Sequence, residues 1–201
     1  MMGIKFNTII LVHLFLFLGS YVAFGQIAVQ VSKTSCFANS GNTIEVNVRN
    51  HGNLLDSIGR KYYDYSSTYR LADSVKIKII EKLFDFTSDT SLCCQEVKVY
   101  ENADYPGCFN EMPSAKEFSI RLEALFIINR IAYNTFTYRI GCYPVLYDTE
   151  TMQIANNDNC LISIMVERYR EWFKMYKGTG RLPDYQFLNA GRIRWWGKHL
   201  K

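Results

Sequence analysis

The sequence predicts a mainly α fold: a three-helix core with a small N-terminal β element and irregular loops tied together by disulfides. Three observations predict it. Three separate stretches repeat apolar residues at helical spacing, a stretch near the N-terminus alternates with period two, and all 6 cysteines lie at or beyond Cys36.

The central helix is expected over 115–134. Pro113 and Ser114, with Glu117 three residues after the serine, form a start signal in which the serine oxygen and the glutamate carboxylate satisfy first-turn amides. On a helical projection Lys116, Ser119, Glu123 and Arg130 share one narrow arc, while Phe118, Ile120, Leu122, Leu125, Phe126, Ile127, Ile128 and Ile131 spread over most of the rest. Such a helix needs neighbours on several sides, with Glu123 turned to water. Asn129 projects close to the apolar arc, so its amide is expected to be buried and hydrogen-bonded to another element.

Upstream, Lys5, an apolar run over 9–18 and the small-residue pattern Ala23-Phe24-Gly25 read as a secretory signal peptide cleaved after Gly25. The competing reading is an uncleaved anchor prolonged by Tyr21, Val22 and Phe24. No second apolar run approaches spanning length. The expected organisation is a signal peptide over 1–25 and a single mainly helical exported domain over 26–201, secreted or periplasmic.

In the mature region Ile27, Val29 and Val31, then Ile44, Val46 and Val48, alternate as two short strands around the Asn39-Ser40-Gly41-Asn42 turn cluster, which predicts a hairpin. From Ile58 to Phe86 apolar positions recur at spacings of three and four, interrupted at Lys76, and the helix is best defined over 67–84. Tyr62, Tyr63, Tyr65 and Tyr69 suit a sugar-stacking platform, but helical spacing explains three of them as a packing face. The segment 87–112 reads as irregular and stapled, with Cys93, Cys94 and Cys108 in it. Beyond the central helix, Tyr143-Pro144-Val145 is extended because proline disfavours helix before it. A turn follows over 148–151, and a third helix over 159–177 stops at Gly178. This helix carries Leu161, Met165, Tyr169, Trp172, Phe173 and Tyr176 on its inward face, with Ser163, Glu167, Arg170, Glu171 and Lys174 opposite. One short helical turn is expected over 182–188.

An even cysteine count in an exported chain predicts three disulfides: Cys142 with Cys160, Cys108 with Cys93 or Cys94, and the remaining vicinal cysteine with Cys36. No Cys-x-x-Cys pair is present, and His51 and His199 are the histidines beyond the leader, so neither metal nor cofactor is predicted. Asp148, Glu150 and the Asn156-Asn157-Asp158-Asn159 run offer oxygen ligands for calcium, but without EF-hand spacing they read more simply as turn and cap residues. A formal charge of +4 is too mild to indicate nucleic acid.

Nucleophile elbows, phosphate loops and zinc-protease motifs are lacking. Two function classes follow. The favoured one is an exported non-enzymatic interaction module binding a protein or cell-envelope component. Its candidate contact residues are Arg192, Arg194, Trp195 and Trp196, because arginine and tryptophan bring large contact area and planar donor forks. The same residues also read as a staple that anchors the chain end. The second class is a small exported hydrolase acting on cell-wall or other polysaccharide, pairing Glu117 or Glu123 with Asp148 or Glu150; its competing explanation is that Glu117 caps its helix and pairs with Arg121.

Overall fold

The structure, a computed structural model, describes residues 27–36, 41–50, 53–58, 71–97, 113–132, 143–181, 183 and 191–196. The leader over 1–25, the tyrosines at 62, 63, 65 and 69, Cys108, Cys142 and the expected turn of helix over 182–188, apart from Pro183, lie outside them.

The fold is mixed α/β rather than mainly α, with two antiparallel sheets beside three helices among the described residues. The first sheet has the order β1 (Ile27–Ser35), β2 (Asn42–Asn50), β3 (Asn53–Ile58). The expected hairpin is present, with Ile27 opposite Asn50 and Ser35 opposite Asn42. Its third strand was illegible because Asn-Leu-Leu-Asp-Ser-Ile does not alternate, and a register shift at Val48/Arg49 re-aims the pairing. Ile44, Val46 and Val48 of β2 are fully buried, so the sheet packs on the helices by this row.

Helix α1 (Asp73–Leu83) buries Val75, Ile79, Ile80 and Leu83 and runs on into a 3₁₀ turn, Phe84–Phe86. Helix α2 (Ile120–Ala132) is the centre: all 13 of its residues are buried. It starts five residues later than the capping signal predicts. Residues 115–118 carry no regular secondary structure, and Ser119 forms an antiparallel bridge to Leu92. The Cys93 amide donates to Phe118 O at 2.9 Å, and the Ile120 and Arg121 amides donate to Ser91 O and Asp89 O. The first-turn amides are thus satisfied by a remote loop, and Glu117 is left exposed.

Helix α3 (Asn159–Thr179) follows the expected faces closely. Asp158 caps it by accepting from the Cys160 and Leu161 amides; its end is corrected, since the helix runs through Gly178 and stops only at Gly180, whose φ of 64° gives the left-handed conformation. A second sheet, in the order β5 (Gln153–Ile154), β4 (Leu146–Asp148), β6 (Ile193–Trp195), closes the core. Leu146 lies opposite Trp195 and Asp148 opposite Ile193, so Ile193 and Trp195 point inward. Asn129 is buried as expected: Tyr169 Oη donates to its Oδ1, and Trp195 Nε1 donates to Tyr169 Oη at 2.5 Å. One polar chain therefore joins α2, α3 and β6 inside the core.

Cys36 is bonded to Cys94, one of the two expected pairings for Cys36. Closing a loop with a sequence separation of 58 is worth about 4 kcal/mol in the entropic model. The other expected pairings are corrected: Cys93 and Cys160 are free thiols, the first buried and the second exposed. Neighbouring extended residues point to opposite sides, so Cys94 reaches Cys36 while Cys93 turns into the core. Burial pushes the Cys93 thiol up, the nearby Glu123 carboxylate pushes it further, and a donated Gln95 amide opposes both only in part. With iodoacetamide under native conditions, Cys160 should be alkylated and Cys93 should not, until denaturant is added; peptide mapping checks this. Modification of Cys93 in the folded protein would mean that its site opens.

Candidate functional site

The four candidate residues at the C-terminal strand divide into three environments. Trp195 is 1% exposed and belongs to the core, its ring 5.5 Å from that of Phe126. The expectation that it forms part of a contact surface is corrected by the register of β6, which faces it inward opposite Leu146.

Arg192 is exposed but engaged. Its Nε and Nη2 donate to the two carboxylate oxygens of Asp148 at 2.8 and 2.7 Å, and its Nη1 lies 2.9 Å from Glu150 Oε2. The Arg192 fork holds the Asp148 carboxyl well below the usual carboxylate range against the opposing effect of burial, helped by the Glu150 amide and Thr151 hydroxyl. The oxygens that suggested calcium are thereby used in turn and ion-pair chemistry. Asn156 is likewise spent on the backbone, accepting from the Leu146 amide and donating to Glu117 O and Pro144 O. Among the described residues no group of three or more metal-ligating side chains is gathered.

Arg194 and Trp196 lie on the outer side of the same sheet. Register places Arg194 opposite Tyr147, and Tyr147 opposite Ile154, so the three form one cross-strand row. Trp196 stands edge-on to Tyr147 at 5.4 Å, and its amide donates a hydrogen bond to Val145 O, just before β4. The Tyr147 hydroxyl donates to Met152 Sδ at 3.3 Å. Met152 itself is 66% exposed at the tip of the β4–β5 turn, with φ 59°. That left-handed conformation suits glycine or asparagine and costs a side chain such as methionine about 1 kcal/mol or more. The turn is enforced by Asp148, whose oxygens accept from the Glu150 amide and the Thr151 hydroxyl. Sequence reasoning finds Arg194 and Trp196 from residue type. It misses Tyr147, Met152 and Ile154, which enter only through register and turn conformation.

Of the carboxylates proposed for hydrolysis, Glu117 is exposed, Glu150 pairs with Arg192, and Glu123 and Asp148 are engaged by protein donors. Glu123 is fully buried rather than facing water: it accepts from Thr43 Oγ1 at 2.5 Å and from the Ile44 amide at 2.9 Å, both at the start of β2. Asp148 serves the second sheet. Arg121, expected to pair with Glu117, instead donates through Nη2 to Asn159 Oδ1 at the start of α3. Chemically, the outer face of the second sheet offers a thioether, an indole and an aliphatic side chain around a shielded tyrosine, with a guanidinium at the margin. No family model matches the chain, and no curated protein and no solved structure matches it either.

Proposed function

We propose that the protein is an exported, non-enzymatic interaction module that binds a protein partner through the outer face of its second sheet, centred on Met152 and Trp196. The observation that carries this reading is Met152: a large apolar side chain, 66% exposed, in a backbone conformation that disfavours it. A strained position occupied by an exposed methionine is more economically explained by contact than by folding. Export rests on the apolar leader and the Cys36–Cys94 disulfide, which is compatible with an oxidising compartment. No helix among the described residues is long and apolar enough to cross a membrane.

Met152→Gly separates contact from folding. Glycine relieves the left-handed conformation, so urea unfolding should show stability raised by roughly 0.5–1 kcal/mol, while partner capture falls. The partner itself is sought with a photo-crosslinking amino acid at position 152 in the native host, and at exposed Ile164 on α3 as a control. A discrete adduct with one protein at 152, absent at 164, is the expected result. No adduct at 152, or the same adducts at both positions, overturns the reading.

A further inference from the structure

Resting on that reading, we propose that the outer face selects a peptide segment carrying a carboxylate next to an apolar side chain, with Arg194 as the fork that receives the carboxylate. The two arginines flanking the face differ in what they have left to give. Arg192 spends Nε, Nη1 and Nη2 on Asp148 and Glu150. Among the described residues Arg194 spends only Nε, on Gly191 O at 3.0 Å, and no carboxylate there pairs with its terminal nitrogens. The Gly191 bond also limits the orientations of the guanidinium.

Gly191 accepts this role through its own conformation. Its φ is 83°, and a Cβ there would meet Arg168 Nη2 at 3.1 Å, while Arg168 Nη1 donates to Ile193 O at 3.2 Å. The strand that presents Arg194 is therefore braced from α3. Met152, Ile154 and Trp196 lie on the face beside it and supply the apolar part of the contact.

Charge selects a carboxylate over a phosphate or a lipid surface. Polybasic lipid recognition uses about 4–8 cationic side chains, whereas here Arg192 is neutralised and Glu150 stands at the adjoining turn. Among the described residues of this face one open guanidinium balances one carboxylate, and its planar fork matches that group through two parallel hydrogen bonds.

The test is selection of short random displayed peptides on the folded full-length protein, with Trp196→Ala as counter-selection. Selected sequences are then synthesised with each Asp or Glu and with the matching Asn or Gln. The expected result is enrichment of acidic residues beside aliphatic or aromatic ones. Binding should weaken about tenfold on amide replacement, and this difference should vanish in Arg194→Gln. Arg194→Lys, which keeps the charge without the fork, should fall between the two; circular dichroism confirms that each variant is folded.

Peptides that depend on Trp196 but show no acidic preference and no response to Arg194→Gln overturn the carboxylate proposal and leave the contact face standing. Absence of any Trp196-dependent peptide counts against both. Binding to phosphatidylserine vesicles that Arg194→Gln abolishes, with no peptide enriched, assigns the fork to a lipid headgroup and likewise overturns the proposal.

Discussion

Replacing Glu123 by alanine should destabilise the protein by about 3–5 kcal/mol, read as a lowered urea midpoint with an unchanged slope. The carboxylate is 0% exposed and holds the Thr43 hydroxyl and the Ile44 amide. Truncation strands both donors at the junction of β2 and α2 and leaves a cavity between them. Glu123→Gln keeps the volume and one acceptor, so about 1–2 kcal/mol is expected. Equal losses for the two variants would show that the carboxylate with its two acceptors, not the space it fills, is what matters there, and a loss below about 1 kcal/mol for alanine would remove Glu123 from the account of how the first sheet is fixed to the central helix.

A loss of similar size is expected at the other end of the core. Trp195→Ala should lower stability by about 3–5 kcal/mol, as large-to-small aromatic substitutions do, and lower Tm by roughly 10 °C or more in a chain of this size. The indole is almost wholly buried, packs on Phe126 and donates to Tyr169, whose hydroxyl in turn holds Asn129. Deleting the chain from Arg192 onward should cost at least as much, because β4 loses its partner strand and Asp148 loses Arg192. Scanning calorimetry decides the matter: a truncated protein that melts at the parent temperature would mean that the strand is an appendage. Trp196→Ala, partly exposed on the opposite side, should cost less, and the contrast between the two tryptophans tests the inward–outward alternation of β6.

Helix α3 was legible because its 21 residues give several turns of evidence and because the Asn-Asp run ending in Asp158 and Asn159 marks its start, but of the two glycines near its end residue type pointed to Gly178 and the cap is Gly180. Helix α2 was legible as a buried helix but not in its start. The Ser114–Glu117 signal is local, and the pairing of Ser119 with Leu92 that overrides it is not. Nor was the burial of Glu123 readable, since the donor that justifies it, Thr43, is 80 positions away. Strands of 3, 2 and 3 residues in the second sheet are too short to show any period, which is why a mixed fold read as a helical one. At the candidate site residue type pointed to the right strand, and only register could tell which of its two tryptophans faces out.

The second sheet also sets a clock for biogenesis. Its middle strand, β4, is flanked by β5 a few residues later and by β6 only after the whole of α3 has been made. The most apolar helix, α2, emerges about 60 residues before the strand whose tryptophan covers it, an interval of roughly 3–12 s at ordinary rates of synthesis. During that time Phe126 and Asn129 are without Trp195 and its hydrogen-bonded chain. The nascent protein therefore carries an incompletely covered hydrophobic cylinder, and a holding chaperone that recognises it would act between the synthesis of α2 and that of β6.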